Sequence, residues 1–160
     1  MRWAVLESPI GDLSVAVDDV GVCGVRFGRV EGVAQTTAPD PALRAALDEL
    51  RGYFAGELTG FTVPLSVRQG SAFERAVWRR MTGIPYGQTE TYGEVAAALG
   101  DPLAARAVGV ACNRNPIPVI VPCHRIVGAG GKLVGFGGGL PRKRHLLELE
   151  AGVAFRQEWS

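Results

Sequence analysis

Apolar residues recur at two spacings in the first part of the chain, and the spacing changes near Asp40. Residues 2–7, 13–17 and 23–27 hold short, partly alternating apolar runs between turn-forming residues, which predicts three β-strands. After Asp40 and a proline, apolar residues follow at helical intervals until a glycine, which predicts an α-helix with Asp40 as its N-cap. Residues 61–65 are a candidate for one further strand.

Helix start and stop signals mark the middle of the chain. Ser71 and Thr91 are each followed three residues later by glutamate, the capping-box pattern of a helix N-terminus. Gly100 ends the second of these helices, and Asp101-Pro102 is predicted to start another that runs to about Asn113. Two short helices joined by a three-residue turn predict a helix-turn-helix.

The last part of the chain combines a short strand, a glycine-rich segment and a long helix. Residues 119–121 predict a buried strand that leads into Cys123. Residues 128–139 hold seven glycines, a density typical of a flexible loop or of a backbone that closely approaches a ligand. A last helix is predicted from Pro141 to just before Gly152.

Charge divides the chain near the end of the first group of elements. Residues 1–66 carry five Lys and Arg against nine Asp and Glu, whereas residues 67–160 carry twelve against seven. The positive excess favours a polyanionic partner for the second part, although such modest asymmetry is also common in proteins without one. We predict an α/β (α+β) protein with a sheet-plus-helix domain at 1–66 and a mainly helical, winged-helix-like domain with a helix-turn-helix and an active-site loop at 67–160.

Composition narrows the functional classes. The chain has 160 residues, of which 47% are hydrophobic and 21% charged, as in globular proteins, and no apolar run reaches the ~18 residues of a membrane span. An odd, widely spaced set of three cysteines fits a reducing compartment. Zinc-ligand spacing and nucleotide-binding glycine loops are missing from the sequence. We expect a cytoplasmic protein with no membrane partner, no metal and no cofactor.

Cys123 is the candidate nucleophile. It is followed directly by His124 and Arg125, and positive charge near a cysteine lowers the pKa of its thiol. The alternative is a buried structural cysteine, which is the commoner role of a lone cysteine. Adjacent residues on a strand point to opposite faces, so the imidazole need not touch the sulfur.

Glu150 is the candidate third member of the site. Helical spacing places it on one face of the last helix with Leu146, Leu147 and Lys143, so its carboxylate is drawn toward the core and needs a partner. His124 is the obvious partner: Glu150 would orient the ring, which would act as base toward Cys123. The alternative for Glu150 is a solvated glutamate at the end of a helix. The alternative for Lys143 is an ordinary surface lysine.

The residues around Cys123 resemble a family signature. Residues 122–126, Pro-Cys-His-Arg-Ile, resemble the PCHR[VI] motif of O6-alkylguanine-DNA alkyltransferases (methylated-DNA–protein-cysteine methyltransferases), here of the bacterial stand-alone type. Further segments resemble that family in the same order, densely over 70–151: the approach to the helix-turn-helix (84–89 and 91–93), the recognition helix (105–109), the hinge (115–116), and the binding loop with the following helix (137–150).

The resemblance implies direct-reversal DNA repair without a cofactor. An alkyl group of O6-alkylguanine, with O4-alkylthymine as a second candidate substrate, would pass irreversibly to the protein after the base is flipped out of the duplex. The catalytic residues it implies are the alkyl acceptor Cys123, the relay His124 and Glu150, the hinge Asn115, and Tyr92, which helps rotate the nucleotide and protonates the departing guanine.

The same resemblance implies the residues that bind DNA and the base. Arg106 would be the finger that fills the space of the flipped base, and the other DNA-binding residues would be Tyr92, Ala105, Ala107, Gly109 and Arg114. The substrate pocket would be formed by Pro118, Ile126, Phe136, Gly137 and Lys143.

Two positions depart from the family pattern. Phe136 stands where many members have tyrosine, and Gly137 where some have serine, so two hydroxyl groups near the base are lost.

The implied partner is double-stranded DNA that contains O6-alkylguanine, bound by a monomer, with cooperative binding along DNA left open. Two other functions are kept as alternatives: a lesion-binding module without chemistry, and a Cys-His hydrolase that turns over and ignores DNA.

Overall fold

The computed structural model describes residues 1–33, 35–36, 38 and 40–159. The chain separates into two compact units, Met1–Arg68 and Gln69–Ser160. Within the described residues no helix is both long enough and apolar enough to cross a membrane.

The first unit is an antiparallel three-stranded sheet with one helix packed on it. The strands are β1 (Arg2–Leu6), β2 (Leu13–Val17) and β3 (Val22–Phe27), in the order β1-β2-β3, and the helix is α1 (Pro41–Phe54). All five residues of the central strand β2 are buried. The Asp40 side chain accepts a hydrogen bond from the Leu43 amide, as the N-cap prediction requires.

The strand predicted at 61–65 is wrong. Leu65 makes only an isolated bridge with Val22. The amides of Thr62 and Val63 donate to the Glu49 carboxylate at 2.8 and 3.2 Å, so a side chain of α1 takes the hydrogen bonds that a strand partner would need.

The second unit is mainly helical. Its helices are α2 (Ala72–Thr82), α3 (Tyr92–Ala98), α4 (Ala105–Asn113) and α5 (Leu140–Glu158), with 3-10 helices at Cys123–Arg125 and Ala129–Gly131. Both predicted capping boxes are formed, at Ser71 and at Thr91. A two-residue parallel ladder joins β4 (Glu90–Thr91) to β5 (Ile126–Val127), which is too short for a sequence pattern to indicate.

Helices α3 and α4 pack against each other, as a helix-turn-helix requires, but their connection is longer than predicted. The helix expected to start at Asp101-Pro102 starts at Ala105, and residues 99–104 separate the two helices. The Asp101 side chain accepts from the Leu103 amide at 3.2 Å, and its carbonyl accepts from the Ala104 amide at 3.0 Å. Asp101 therefore builds a turn of its own instead of capping the helix.

The approach to Cys123 also differs from the prediction. Residues 119–121 are not a strand, since Val119 has a left-handed φ of 75° and the Val121 amide donates to the Ile117 carbonyl at 2.9 Å. The only extended ladder near the thiol, β5, comes after Cys123 within the described chain.

Helix α5 does not end before Gly152 but continues to Glu158. The buried face formed by Leu146 and Glu150 extends to Val153, which is 3% exposed. One glycine costs a helix only about 1 kcal/mol, so the buried residue beyond it can keep the helix intact.

Trp78 links α2 to α4 and gives a test of this packing. Its indole Nε1 donates to the Ala111 carbonyl at 2.8 Å, and the side chain is 4% exposed. We expect Trp78→Phe to lower the free energy of unfolding by about 1–3 kcal/mol, because a buried hydrogen bond and ring contacts are lost. Urea denaturation followed by circular dichroism measures the change.

Trp159→Phe is the matched control, since Trp159 is 76% exposed. Its free energy of unfolding should change by less than about 0.5 kcal/mol. Equal effects of the two substitutions would show that the Trp78 contact does not hold α2 against α4.

Candidate active site

The Cys123 thiol lies in the 3-10 helix just before β5 and is almost fully buried. Its residue is 7% exposed, and its amide donates to the Val121 carbonyl at 2.9 Å. Burial raises the pKa of the thiol to about 11, although a hydrogen bond with Asn115 and the positive charge of Lys143 act in the opposite direction. The thiol is therefore protonated at neutral pH, and the lowering of its pKa by His124 and Arg125 that the sequence suggested is not found.

Asn115 connects the end of α4 to the segment that carries the thiol. Its Nδ2 donates to the Val121 carbonyl at 2.8 Å, and its Oδ1 accepts from the Ile117 amide at 3.0 Å. One side-chain amide thus closes the turn over residues 116–121, which includes the left-handed Val119. This turn leads directly into the 3-10 helix that carries Cys123, and the hinge role of Asn115 stays a prediction.

His124 and Glu150 form the buried pair that the sequence predicted. Nε2 of His124 lies 2.7 Å from Oε2 of Glu150, and the two residues are 0% and 1% exposed. Burial opposes ionisation of Glu150, but hydrogen bonds from His124 and Arg125 outweigh it and lower the pKa of the carboxyl to about 2. Burial also lowers the pKa of His124.

These two shifts define the protonation of the pair at neutral pH. An ionised carboxylate only accepts hydrogen bonds, so Nε2 of His124 must carry the proton of their 2.7 Å contact. The ring is neutral because its pKa is lowered, and its lone pair is then on Nδ1. The arrangement provides a neutral base with a fixed tautomer in the residue next to the thiol.

Arg125 is the main residue that the sequence reasoning missed. Its Nε and Nη2 donate to the two oxygens of Glu150 at 2.8 and 3.0 Å, and its Nη1 donates to the Ile84 carbonyl at 2.8 Å. The Gly87 amide adds a fourth donor to the carboxylate at 3.1 Å. One imidazole N–H cannot satisfy a buried carboxylate, and that deficit was the signal in the sequence for a second donor.

Lys143 is fully buried, so it is not a surface lysine. Its Nζ donates to the carbonyls of Ile126, Val134 and Gly135 at 2.6, 3.0 and 3.1 Å. Tyr92, the first residue of α3, also donates to the Val134 carbonyl, at 3.1 Å. Burial raises the pKa of the Tyr92 hydroxyl to about 12, so this group is a donor at neutral pH.

The remaining predicted site residues fall into two groups. Among the pocket residues, Pro118 and Ile126 are buried, Phe136 is half-buried and Gly137 is exposed. Apart from Tyr92 at the start of α3, the predicted DNA-binding residues lie along α4 and just after it: Arg106, Ala107 and Arg114 are exposed, and Ala105 and Gly109 are half-buried.

Arg114 differs from the other residues of the second group because it has a partner within the protein. Its Nη1 lies 3.4 Å from a carboxylate oxygen of Glu74, at the first turn of α2. The contact is exposed on the arginine side, so it contributes little to stability and can be exchanged for another anion.

The buried pair predicts a specific loss of stability in acid. An unfolded histidine takes up a proton below pH ~6.5, whereas buried His124 resists it, so the free energy of unfolding should fall from that pH downwards. The slope approaches about 1.4 kcal/mol per pH unit for one proton. Below about pH 4.5, Glu150 adds to the loss of unfolding free energy until the pH approaches 2. Asp18, Asp40 and Glu74, whose pKa values are also lowered, contribute to the same loss in acid.

Urea denaturation between pH 7 and 4.5 isolates the histidine contribution. His124→Gln should flatten the curve in that window, and His145→Gln is the matched control because it removes the chain's other imidazole. A wild-type curve that stays flat down to pH 4.5 would contradict a buried, neutral His124.

Comparison with known proteins finds relatives along almost the whole chain. A family model described as 6-O-methylguanine DNA methyltransferase, DNA binding domain, matches residues 72–152, and the ribonuclease-like domain of the same enzyme matches residues 1–67. The methylated-DNA–protein-cysteine methyltransferase of Mycobacterium bovis is 48% identical over 157 residues, which cover 96% of this chain and 94% of the relative. The protein of that name from Methanosarcina acetivorans is 47% identical over 156 residues, covering 94% and 98%.

The fold comparison agrees with the sequence comparison. The crystal structure of Mycobacterium tuberculosis OGT in complex with DNA matches with a TM-score of 0.85 at 47% identity, covering 96% of this chain and 94% of that one. The predicted fold class, a small antiparallel sheet followed by a mainly helical part, is confirmed by this match. On the combined evidence of both family models and these relatives, the chain belongs to the 6-O-methylguanine DNA methyltransferase family.

Proposed function

We propose that this protein repairs DNA by moving the methyl group of O6-methylguanine onto the sulfur of its own Cys123, once per molecule. The observation that carries the proposal is the buried thiol followed directly by a neutral histidine that ionised Glu150 holds at 2.7 Å. Relatives named methylated-DNA–protein-cysteine methyltransferase support the reaction class. A DNA substrate supports the cytoplasmic location predicted from the sequence.

The first chemical task is to remove the thiol proton. With a pKa of about 11, the Cys123 thiol is a weak nucleophile until a base takes its proton during the reaction. Nδ1 of neutral His124 is that base, acting through a water molecule. Glu150 keeps Nε2 protonated and stabilises the imidazolium, and it takes up no proton itself because Arg125 and Gly87 hold it ionised.

The transfer is a displacement at a saturated carbon. The sulfur–carbon bond forms while the bond between the methyl carbon and O6 breaks, and the electron pair of that bond stays on guanine. The departing base gains a proton from the Tyr92 hydroxyl, and the imidazolium of His124 then returns its proton through solvent to the Tyr92 phenolate, so both residues regain their starting protonation states. The product is a thioether, which water does not cleave under these conditions, so the protein does not turn over.

The buried thiol requires the base to leave the duplex. A stacked base cannot reach a residue that is 7% exposed, so the nucleotide must be flipped out at a cost of about a few kcal/mol. We assign the helix α4 to the DNA groove, where Ala105, Ala107 and Gly109 allow close approach and Arg106 fills the vacated space. Arg114 would contact phosphate in place of Glu74.

The flipped base would enter a pocket formed by Pro118, Ile126, Phe136, Gly137 and Lys143. DNA binding and alkyl transfer are thereby assigned to the second domain, residues 67–160, and no chemistry is assigned to residues 1–66. Phe136 and Gly137 offer no side-chain hydroxyl to the base, so recognition at these two positions relies on ring stacking and backbone groups.

Intact-mass analysis tests the acceptor. Mixed with duplex DNA that holds one O6-methylguanine, the protein should gain one methyl group per molecule, and guanine should be restored in the DNA. Cys123→Ser should gain nothing. Cys112→Ser is the matched control, since Cys112 is also a buried cysteine, with a thiol pKa raised by burial to about 12, and it should gain the methyl group normally.

An unchanged mass despite tight binding to the lesion would favour the lesion-binding alternative. Methyl release with repeated turnover would favour a hydrolase. Either result would contradict self-alkylation at Cys123.

Arg106 gives a separate test of base flipping. We expect Arg106→Ala to slow transfer from duplex DNA by about 10- to 100-fold, since nothing then offsets the cost of flipping. Transfer from the free base O6-methylguanine, which needs no flipping, should stay within about twofold. Arg144→Ala, on the exposed side of α5, is the charge-matched control. An equal loss with duplex and free base would contradict a flipping role.

A further inference from the structure

Three backbone carbonyls converge on the Lys143 ammonium group. They belong to Ile126 in β5 and to Val134 and Gly135 in the glycine-rich loop, and their distances to Nζ are 2.6, 3.0 and 3.1 Å. An ammonium group has three N–H donors, so three acceptors satisfy it completely. The side chain is 0% exposed, and such a burial is tolerated only with this complete pairing.

The Val134 carbonyl accepts two hydrogen bonds at once. One comes from Lys143, and the other comes from the Tyr92 hydroxyl at 3.1 Å. Nζ of Lys143 also lies 5.8 Å from the centre of the Tyr92 ring. The loop, the start of α3 and the buried face of α5 therefore meet at one carbonyl oxygen.

Under the proposed function Tyr92 has two partners in succession. In the free protein its hydroxyl is bonded to Val134, but during transfer it must donate to the departing guanine. When Tyr92 leaves, the Val134 carbonyl would lose a partner and the loop would lose a contact. The loop is rich in glycine, which loses more backbone freedom on ordering than any other residue, so it needs a contact that persists.

We propose that Lys143 is a positioning residue that keeps the 128–139 loop attached to β5 while the Tyr92 hydroxyl moves from Val134 to the substrate. This inference rests on the proposed function only in the role that it gives to Tyr92. Charge-assisted hydrogen bonds are stronger than neutral ones, so the ammonium can hold the loop without the phenol.

The anchor, which is the Lys143 ammonium group with its three carbonyl acceptors, acts on the base pocket because of where those acceptors lie in the chain. Val134 and Gly135 directly precede Phe136 and Gly137, the proposed wall of the base pocket. Hydrogen bonds within the loop lie on either side of Val134 and Gly135: the Gly128 amide donates to the Lys132 carbonyl at 2.8 Å, the Gly131 amide to the Gly128 carbonyl at 3.0 Å, and the Gly139 amide to the Phe136 carbonyl at 2.9 Å. Lys143 thus links the middle of the loop to the strand that follows Cys123.

Hydrogen exchange of the free protein tests the anchor without DNA. Lys143→Met should raise amide exchange in residues 128–139 by about tenfold or more, as expected when charge-assisted hydrogen bonds are lost. Tyr92→Phe removes the other donor and should leave exchange in the loop within about twofold of wild type. Arg144→Met removes a positive charge from a neighbouring, exposed position of α5 and should also leave exchange in the loop unchanged.

Two further measurements separate anchoring from other roles of the lysine. Exchange in α2 reports global unfolding and should be unchanged in Lys143→Met. If that variant does not fold, Lys143→Arg keeps the charge but cannot direct three N–H groups to the same three carbonyls, and should still open the loop. With lesion DNA, the Lys143 variants should transfer more slowly while the dissociation constant for DNA stays within about twofold.

Unchanged loop exchange in the Lys143 variants would overturn the proposal, as would equal opening of the loop by Tyr92→Phe alone. A failure of the proposed function is distinguishable, because the wild-type protein would then acquire no methyl group on Cys123 while loop exchange still depended on Lys143.

Discussion

The second unit of this protein is organised around one buried negative charge. Glu150 is 1% exposed, and a carboxylate in that position is stable only when every accepting direction has a donor. Its donors come from two segments, the turn at Gly87 and the 3-10 helix that holds His124 and Arg125, while α5 supplies the carboxylate. The segment that carries the thiol is thereby fixed against the longest helix by the same contacts that set the protonation of the base.

Pairing with arginine changes what the carboxylate does for the histidine. A lone Glu150 would strongly favour the imidazolium, whereas Arg125 offsets its charge and leaves burial to lower the pKa of His124. The free protein then holds a neutral ring in the residue next to a protonated thiol, and under the proposed function charge separates only when a substrate is in place. A protonated thiol suits a protein that can use its cysteine once, because it reacts slowly with electrophiles other than the substrate.

Local patterns in the sequence were sufficient where a signal and its partner lie close together. The first three strands, the Asp40 cap and both capping boxes depend on neighbours within a few residues, and they form as predicted. The pair of His124 and Glu150 was accessible because a carboxylate on an apolar helix face demands a partner. The turn at Asp101 and the left-handed Val119 were missed, since each depends on hydrogen bonds of one particular backbone geometry.

Other features depend on distant segments, and no spacing in the sequence indicates them. In the sequence Arg125 indicates only a positive charge near the thiol, whereas its guanidinium donates to the Ile84 carbonyl, 41 residues away. Helical spacing places Lys143 on the apolar face of the last helix, but its carbonyl partners depend on where the glycine-rich loop folds back, which the loop's composition leaves undetermined. Residues 61–65 failed as a strand because α1 supplied acceptors from Glu49.

The short ladder between β4 and β5 has a consequence for how the chain can vary in length. Its register pairs Glu90 with Ile126 and Thr91 with Val127. Tyr92 follows the first strand at once, and the segment with Cys123 ends where the second strand begins. The ladder thus sets the spacing between Tyr92, at the start of α3, and the segment that carries the Cys123 sulfur. Insertions and deletions are better tolerated in the exposed part of the turn between α3 and α4, residues 100–103, whereas one extra residue between Thr91 and Tyr92 would displace the tyrosine from the thiol by one residue step.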